Sequence, residues 1–268
     1  MLDGVDAGGW GWLKAGGARL EAWWIGPAPD QAATLVFLHE GLGSAALWKG
    51  FPERVAAATG LGALVYSRAG YGGSDPIALP RPLNYLEIEA LEVLPAVLDA
   101  AGIQRAVLVG HSDGASIALV NAGASGDPRI AGAVAMAPHV FNEQRAVDGI
   151  RRAVAAFETG GLRERLKRHH GANVDCAFRG WSGAWLDPEF WHWNIEGYLP
   201  SIRAPLLLIQ GRDDEYGTAA QIEAIERQTG GPFETVWLSG GHTPHREHPE
   251  DSLAAIARFV SGLSPGPV

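Results

Sequence analysis

The chain of 268 residues contains a single cysteine, Cys176, so it can form no internal disulfide and no zinc site built on several cysteines. A small secreted domain held together by disulfides is therefore excluded. No run of about 18 uninterrupted apolar residues occurs, which is the length that one membrane-spanning helix requires, so we expect no membrane partner. The first residues carry two aspartates and no apolar stretch, unlike a secretory signal, and we expect a cytoplasmic protein.

Basic residues are also scarce, since 21 Lys and Arg stand against 30 Asp and Glu and give a formal net charge of −9. A phosphate backbone would on average be repelled by such a chain, so nucleic acid is not an expected partner. Apolar residues make up 47% and charged residues 19%, with 36 glycines and 17 prolines. This composition is typical of one globular, loop-rich protein rather than a disordered one.

Short apolar or β-branched runs alternate with segments of helical length, which predicts a mainly parallel sheet covered by helices on both faces. The runs that predict strands are residues 20–25, 34–38, 63–66, 106–109, 131–137, 206–210 and 235–238. Helical periodicity is found in residues 85–101, 115–123, 219–228 and 251–263. Residues 19–24 mix charged and bulky side chains, so we expect the N-terminal strands to form an antiparallel edge.

The alternation stops between residues 141 and 200, where helical patterns and turn signals occur without a convincing strand. We interpret this stretch as a helical insertion. Its basic run, residues 163–170, is interpreted as a solvated helix face, although it could attract an anionic substrate. Its aromatic side chains need a core or a ligand to cover them, and we expect most to pack the insertion onto the main domain while one or two line a pocket. These are Phe178, Trp181, Trp185, Phe190, Trp191 and Trp193.

A predicted strand ending at Val109 continues into Gly110-His111-Ser112-Asp113-Gly114 and then into a helical run. This is the G-x-S-x-G pattern in a strand-turn-helix setting, where a sharp turn lifts the serine clear of the backbone. The glycines allow the strand and the helix to pass closely. The helix N-terminus offers amide donors to an oxyanion formed beside Ser112. The pattern predicts that Ser112 is a nucleophile.

A serine hydroxyl is a weak nucleophile near neutral pH, so it needs a histidine to take its proton and a carboxylate to orient that histidine. The predicted strand 206–210 leads into Asp213 and Asp214, and the last predicted strand leads into a glycine-flanked loop that begins with His242. Functional side chains concentrate at such carboxyl ends of parallel strands. The chain order of serine, aspartate and histidine is the order found in α/β hydrolases.

From about residue 34 to 260 the sequence resembles the α/β-hydrolase fold superfamily, specifically the capped serine hydrolases that include carboxylesterases, lactonases and meta-cleavage-product C–C hydrolases. The resemblance implies a mostly parallel eight-stranded sheet, with a core of residues 1–140 and 201–268 and a helical cap of residues 141–200. The family's acid is usually the fourth residue of a Gly-x-x-Asp turn, which corresponds to Asp214, with Asp213 left as a helper or a solvated neighbour. His242 matches the family's histidine before the last helix.

The turn that begins His39-Glu40-Gly41-Leu42 resembles the family's His-Gly-x turn, which supplies an oxyanion donor. The resemblance implies amide donors from Asp113 and Gly41, or from Leu42 if the register shifts by one residue. Glu40 stands where the family usually has glycine. Its carboxylate could position water or a substrate amine, or it could point into solvent.

His242, His245 and His248 follow each other at intervals of three, but Pro244 and Pro249 break any helix that would align them, so we expect no metal. Residues 41–44 lack the third glycine and the Lys-Ser/Thr of a phosphate-binding loop, and we expect no cofactor.

Within this superfamily a serine rather than an aspartate at the elbow argues against dehalogenase and epoxide hydrolase activity. The sequence therefore predicts hydrolysis of a small apolar or aromatic carboxylic ester, or a lactone, through an acyl-enzyme. The alternatives are a C–C hydrolase of a vinylogous diketone, with Arg163 or Arg179 gripping a carboxylate, and a non-catalytic small-molecule-binding protein. The residues expected to line the substrate pocket are Glu40, Leu42, His139, Trp181, Trp185 and Trp191. The sequence does not predict an oligomeric state.

Overall fold

The computed structural model describes residues 2–4, 9–124 and 126–263. Residues 1 and 268, which are the predicted outer limits of the core, lie outside the described residues. So does part of the N-terminal stretch that differs from a secretory signal. One eight-stranded sheet runs through the molecule in the order β1-β2-β4-β3-β5-β6-β7-β8. The strands are β1 (Trp10–Ala15), β2 (Ala18–Ile25), β3 (Thr34–Leu38), β4 (Gly62–Tyr66), β5 (Ala106–His111), β6 (Ile130–Met136), β7 (Leu206–Gly211) and β8 (Phe233–Leu238).

The sheet is mostly parallel, as the sequence predicts. Only β1 with β2 and β2 with β4 pair antiparallel, and they form the expected N-terminal edge. The remaining neighbours are parallel. Every residue of β3, β4, β5 and β7 is buried, because helices cover both faces and leave no solvated side. The strand β1 was not predicted, since glycine and lysine interrupt its apolar side chains.

Ten α-helices are described: α1 (Phe51–Thr59), α2 (Tyr85–Ile88), α3 (Leu94–Ala101), α4 (Asp113–Ala124), α5 (Gln144–Glu158), α6 (Leu162–His170), α7 (Val174–Trp185), α8 (Ala219–Gln228), α9 (Pro244–Glu247) and α10 (Pro249–Gly262). A π-helical turn, Glu89–Val93, joins α2 to α3. One face of the sheet packs against α2, α3, α4 and α8, and the opposite face against α1 and α10. One apolar core therefore lies on each side of the sheet.

Between β6 and β7 the chain forms α5, α6, α7 and short 3-10 turns, and contributes no strand to the sheet. We call residues 141–201 the helical segment. Phe157 on α5 stacks on Phe178 on α7 with ring centroids 3.7 Å apart, which gives the segment an aromatic interior. Asn173 donates hydrogen bonds to the backbone carbonyls of Gly72 and Ser74, and so ties the segment to the loop after β4. No described helix is both long and apolar enough to cross a bilayer.

Candidate active site

Ser112 lies at the sharp turn between β5 and α4. Its φ of 53° falls in the left-handed region, which costs a non-glycine residue about 1–3 kcal/mol. The neighbouring glycines are required by space: a β-carbon at Gly110 would collide with the backbone of Gly114, and one at Gly114 with the carbonyl oxygen of Leu38. The Ser112 amide donates to the carbonyl of Met136 at 2.9 Å, which anchors the turn to β6.

His242 faces Ser112 from the loop between β8 and α9. Its Nε2 lies 2.9 Å from the Ser112 hydroxyl oxygen. The backbone of this residue is held from two sides, because its amide donates to the Glu215 carboxylate at 3.1 Å and its carbonyl accepts from Nε2 of His111 at 2.7 Å. The imidazole is thus presented to Ser112 by a fixed main chain.

Asp214 follows β7, and its carboxylate oxygens lie 2.8 and 2.9 Å from Nδ1 of His242. The carboxylate also accepts hydrogen bonds from the amides of Tyr216 and Gly217 and from Nε2 of Gln210. Because a carboxylate only accepts, Nδ1 of His242 carries a proton and Nε2 is free to receive one from Ser112. Asp213 is exposed, and the carboxylate that pairs with His242 is that of Asp214.

The electrostatics of the pair favour a charged His242. Burial alone lowers the pKa of His242, but the hydrogen bond and negative charge of Asp214 outweigh it, so the net shift is upward. For Asp214, burial opposes ionisation, while the hydrogen bond and charge of His242 hold the pKa of the carboxyl well below its usual range. The imidazolium that forms when Ser112 gives up its proton is therefore stabilised in place.

A cavity of about 290 Å³ opens beside Ser112. Among its lining residues are these predicted ones: Glu40, Gly41, Leu42, Ser112, Asp113, His139, Trp181, Trp185 and His242. The expectation that Trp191 lines the pocket was wrong. This residue does not line the cavity and is 47% exposed, because the 3-10 turn Pro188–His192 directs it to solvent. Neither Arg163 nor Arg179 lines the cavity, and Arg163 is paired with Asp175.

Two buried tryptophans of α7 reach the elbow and the turn before it. Trp181 lies against Gly41 so closely that a β-carbon at position 41 would collide with the indole nitrogen. The indole nitrogen of Trp185 donates to the Tyr85 hydroxyl at 2.9 Å, and that hydroxyl donates to the Asp113 carboxylate at 2.5 Å. The helical segment therefore reaches Gly41 directly through Trp181 and Asp113 through the hydroxyl of Tyr85. Asp113 is the first residue of α4, where amides lack intrahelical partners.

Seven lining residues were not predicted: His111, Ala146, Ile150, Glu215, Tyr216, Thr243 and Arg246. Local signals existed for most of them. Glu215 and Tyr216 directly follow Asp214, and Thr243 directly follows His242. Ala146 and Ile150 are four residues apart on α5, the spacing that places two side chains on one helix face.

Three other histidines near the site lie in different environments. His139 is buried, and burial together with nearby His242 lowers its pKa to about 3, so it is neutral at pH 7. His245 packs against the rings of Trp48 and Phe51. His248 contacts the Ser239 hydroxyl at 2.9 Å. In residues 2–4, 9–124 and 126–263 no three His, Cys, Asp or Glu side chains are grouped to hold a metal ion.

Glu40 faces the cavity rather than open solvent. Its side chain is 22% exposed, and a carboxylate oxygen lies 3.5 Å from Nδ1 of His111. Burial opposes its ionisation, but the adjacent His111 holds the pKa of Glu40 well below its usual range. The carboxylate is therefore charged at neutral pH.

The chain is similar to known proteins both in sequence and in structure. Residues 35–256 match the model of the Alpha/beta hydrolase family. A pimeloyl-[acyl-carrier protein] methyl ester esterase of Stenotrophomonas maltophilia is 33% identical over 72 residues, which is 27% of this chain and only 28% of that relative's length. A hydrolase from Pseudomonas aeruginosa superposes with a TM-score of 0.76 at 20% identity, over 96% of this chain and 100% of the other.

An enol-lactonase from Burkholderia xenovorans superposes with a TM-score of 0.69 at 19% identity, over 93% of this chain and 99% of the other. At these identities the structural similarity shows the fold alone. The family model, by contrast, covers most of the chain and includes the elbow, the acid turn and the histidine loop. The chain belongs to the alpha/beta hydrolase family.

Proposed function

We propose that this protein is a serine hydrolase that cleaves a small carboxylic ester or lactone through an acyl-enzyme on Ser112. The observation that carries the proposal is the continuous series of contacts from the Ser112 hydroxyl to Nε2 of His242 at 2.9 Å and from Nδ1 to Asp214 at 2.8 Å. Membership of a hydrolase family supports it. The same geometry has no purpose in a protein that only binds a ligand, because the strained φ of Ser112 costs stability.

The reaction follows from the hydrogen-bond donors and acceptors present. His242 takes the Ser112 proton on Nε2 while the serine oxygen attacks the ester carbonyl. The carbonyl oxygen becomes an oxyanion, which accepts hydrogen bonds from the backbone amides of Gly41 and Asp113. The imidazolium then gives its proton to the leaving alcohol. In the second half, His242 takes a proton from water as the water oxygen attacks the acyl carbonyl. The bond between the acyl carbon and the Ser112 oxygen then breaks, the imidazolium returns its proton to that oxygen, and the acid is released.

The cavity favours a substrate of modest size with an apolar or aromatic part. A volume of about 290 Å³ is at the lower end of typical small-molecule sites, and the aromatic residues Trp181, Trp185 and Tyr216 line it. Cleavage of a C–C bond in a vinylogous diketone is less favoured, because neither arginine considered for its carboxylate lines the cavity.

The test is turnover of a short p-nitrophenyl ester by the wild type, Ser112→Ala and His242→Ala. Each variant should lose at least about 10³-fold in kcat/KM, and a fluorophosphonate should label the wild type once, at Ser112. Ser261→Ala and His192→Ala are matched controls, since both side chains are exposed and outside the cavity. If Ser112 neither labels nor affects turnover, the serine-hydrolase proposal is wrong and the non-catalytic alternative takes its place.

A further inference from the structure

We propose that the cavity recognises a substrate carrying a positively charged ammonium group, and that the Glu40 carboxylate is the residue that binds this group. The inference specifies the substrate class of the proposed hydrolase and in that respect rests on it. Glu40 has no role in acyl transfer to water, yet it lies next to Gly41 and lines the same cavity as Ser112.

The position of Glu40 is fixed by its surroundings. Its carbonyl oxygen accepts from Nδ1 of His39 at 2.7 Å and from the guanidinium of Arg68 at 3.3 Å. The side chain folds over Gly43, where a β-carbon would collide with the carboxylate. Because the main chain of Glu40 is held and its carboxylate packs over Gly43, a ligand that binds this carboxylate has less side-chain freedom to restrict.

No described lysine or arginine side chain neutralises the Glu40 carboxylate. Across the described part of the chain, no lysine or arginine nitrogen lies within 4.0 Å of its oxygens, and His111 is the only ion-pair partner. That contact, at 3.5 Å, is longer than the 2.7–2.9 Å of a charge-assisted hydrogen bond. The other nitrogen of His111 is engaged with the His242 carbonyl. The negative charge of Glu40 is thus available to a ligand.

A lone carboxylate at this place opposes the proposed chemistry. The oxyanion forms at the amide of the next residue, Gly41, and a fixed negative charge nearby raises the energy of that oxyanion. A substrate that brings its own positive charge next to Glu40 removes this penalty. A neutral or anionic substrate leaves it in place, so the arrangement discriminates by charge.

The rest of the cavity wall suits a cation with an apolar body. Trp181, Trp185 and Tyr216 present aromatic rings, whose faces attract cations. Glu215 adds a second carboxylate, and neutral His139 adds no positive charge. Among the described lining residues the only Lys or Arg is Arg246, which is exposed and donates to the Leu47 carbonyl at 2.9 Å.

The test uses pairs of esters that differ only in charge. One pair is choline benzoate and its neutral isostere, in which carbon replaces the ammonium nitrogen. In the other pair, a phenyl ester carries the trimethylammonium group, or its neutral carbon isostere, on the acyl side. For at least one pair, wild-type kcat/KM should be higher for the cationic ester by about tenfold, the size of one favourable cation contact in a desolvated site. Glu40→Gln should abolish this preference, chiefly through KM. Glu223→Gln removes the same charge from an exposed position outside the cavity and should retain the preference.

The proposal is overturned if the wild type shows no preference for either cationic ester, or if Glu40→Gln keeps it. It is also overturned if Glu40→Gln slows both members of a pair equally through kcat, because Glu40 would then act on water or on His242. Calorimetry with benzyltrimethylammonium separates this inference from the hydrolase proposal. Ser112→Ala should bind that cation at least about tenfold more tightly than Ser112→Ala/Glu40→Gln does, whether or not the wild type hydrolyses esters, and equal binding contradicts the role of Glu40.

Discussion

Nε2 of His170, at the end of α6, donates to the backbone carbonyl of Leu42 at 3.1 Å. Its Nδ1 accepts from the amide of Gly72, also at 3.1 Å. One buried imidazole therefore joins the helical segment to two loops of the sheet, and Leu42 lines the cavity. This neutral side chain and Asn173 together help to hold the segment over the candidate site.

His170→Ala should destabilise the protein by about 2–4 kcal/mol, because it leaves a buried amide and a partly buried carbonyl unpaired and opens a cavity. Urea unfolding measures the loss, and KM for ester substrates should rise as the Leu42 loop loosens. His169→Ala is the matched control, since His169 is only partly buried, and its effect should stay within about 0.5 kcal/mol. Equal stability of the two variants would contradict this account.

Acid should destabilise the protein before most carboxylates titrate. Burial is the main cause that lowers the pKa values of His39, His139, His170 and His245. Their folded pKa values lie below the unfolded value of about 6.5, so the unfolded chain binds more protons than the folded one as pH falls below 6.5. Their contribution to stability is complete above that pH and is lost progressively beneath it.

His242 acts in the opposite sense, because its folded pKa is raised and its contribution is lost as pH rises. The pKa of partly buried His169 is also lowered, chiefly by burial. The four buried histidines and His169 together outweigh His242, so the urea midpoint should fall steadily from about pH 6.5 downward. A midpoint that is constant from pH 7.5 to about pH 5 would show that the four histidines titrate normally in the folded protein.

Asp214→Asn should lower kcat by about 10³–10⁴-fold, because an amide can stabilise the wrong tautomer of His242 and cannot stabilise its charge. Removing the carboxylate also removes the cause that raises the pKa of His242, so the acid limb of residual kcat/KM should move to lower pH. The pH profile of ester turnover measures both effects. Asp213→Asn makes the same change at the exposed neighbour and should keep kcat within about threefold; similar losses in the two variants would make the assignment of Asp214 wrong.

Trp185→Phe should raise KM for aromatic esters by about 5–50-fold, because it removes the hydrogen bond to Tyr85, which in turn holds Asp113. Trp191→Phe makes the same substitution at an exposed ring outside the cavity and should change nothing measurable. Steady-state kinetics with one aromatic and one aliphatic ester provide the comparison. An effect of Trp191→Phe equal to that of Trp185→Phe would show that the helical segment contacts substrate differently.

Local sequence patterns predict much of the fold and the centre of the site. Seven strands are predicted, most of them because buried parallel strands are continuously apolar, and this part of the fold is confirmed. Ser112 is predicted from its neighbours because the elbow is a local structure. The expectation that Trp191 lines the substrate pocket was wrong, since Phe190 and Trp193 of the same 3-10 turn region pack inward and leave Trp191 exposed. The sequence left the direction of the Glu40 side chain open, and in the structure Glu40 lines the cavity.

Because Ser112 has a left-handed backbone, the protein would be more stable with glycine at this position but would lose the nucleophile. Glycine adopts a φ of 53° without strain, so Ser112→Gly relieves about 1 kcal/mol or more while removing the hydroxyl on which the proposed reaction depends. Selection for thermal robustness alone would favour that substitution. A screen of random variants for heat resistance is therefore expected to enrich inactive proteins at this one codon, and the persistence of serine there requires selection on what the hydroxyl does.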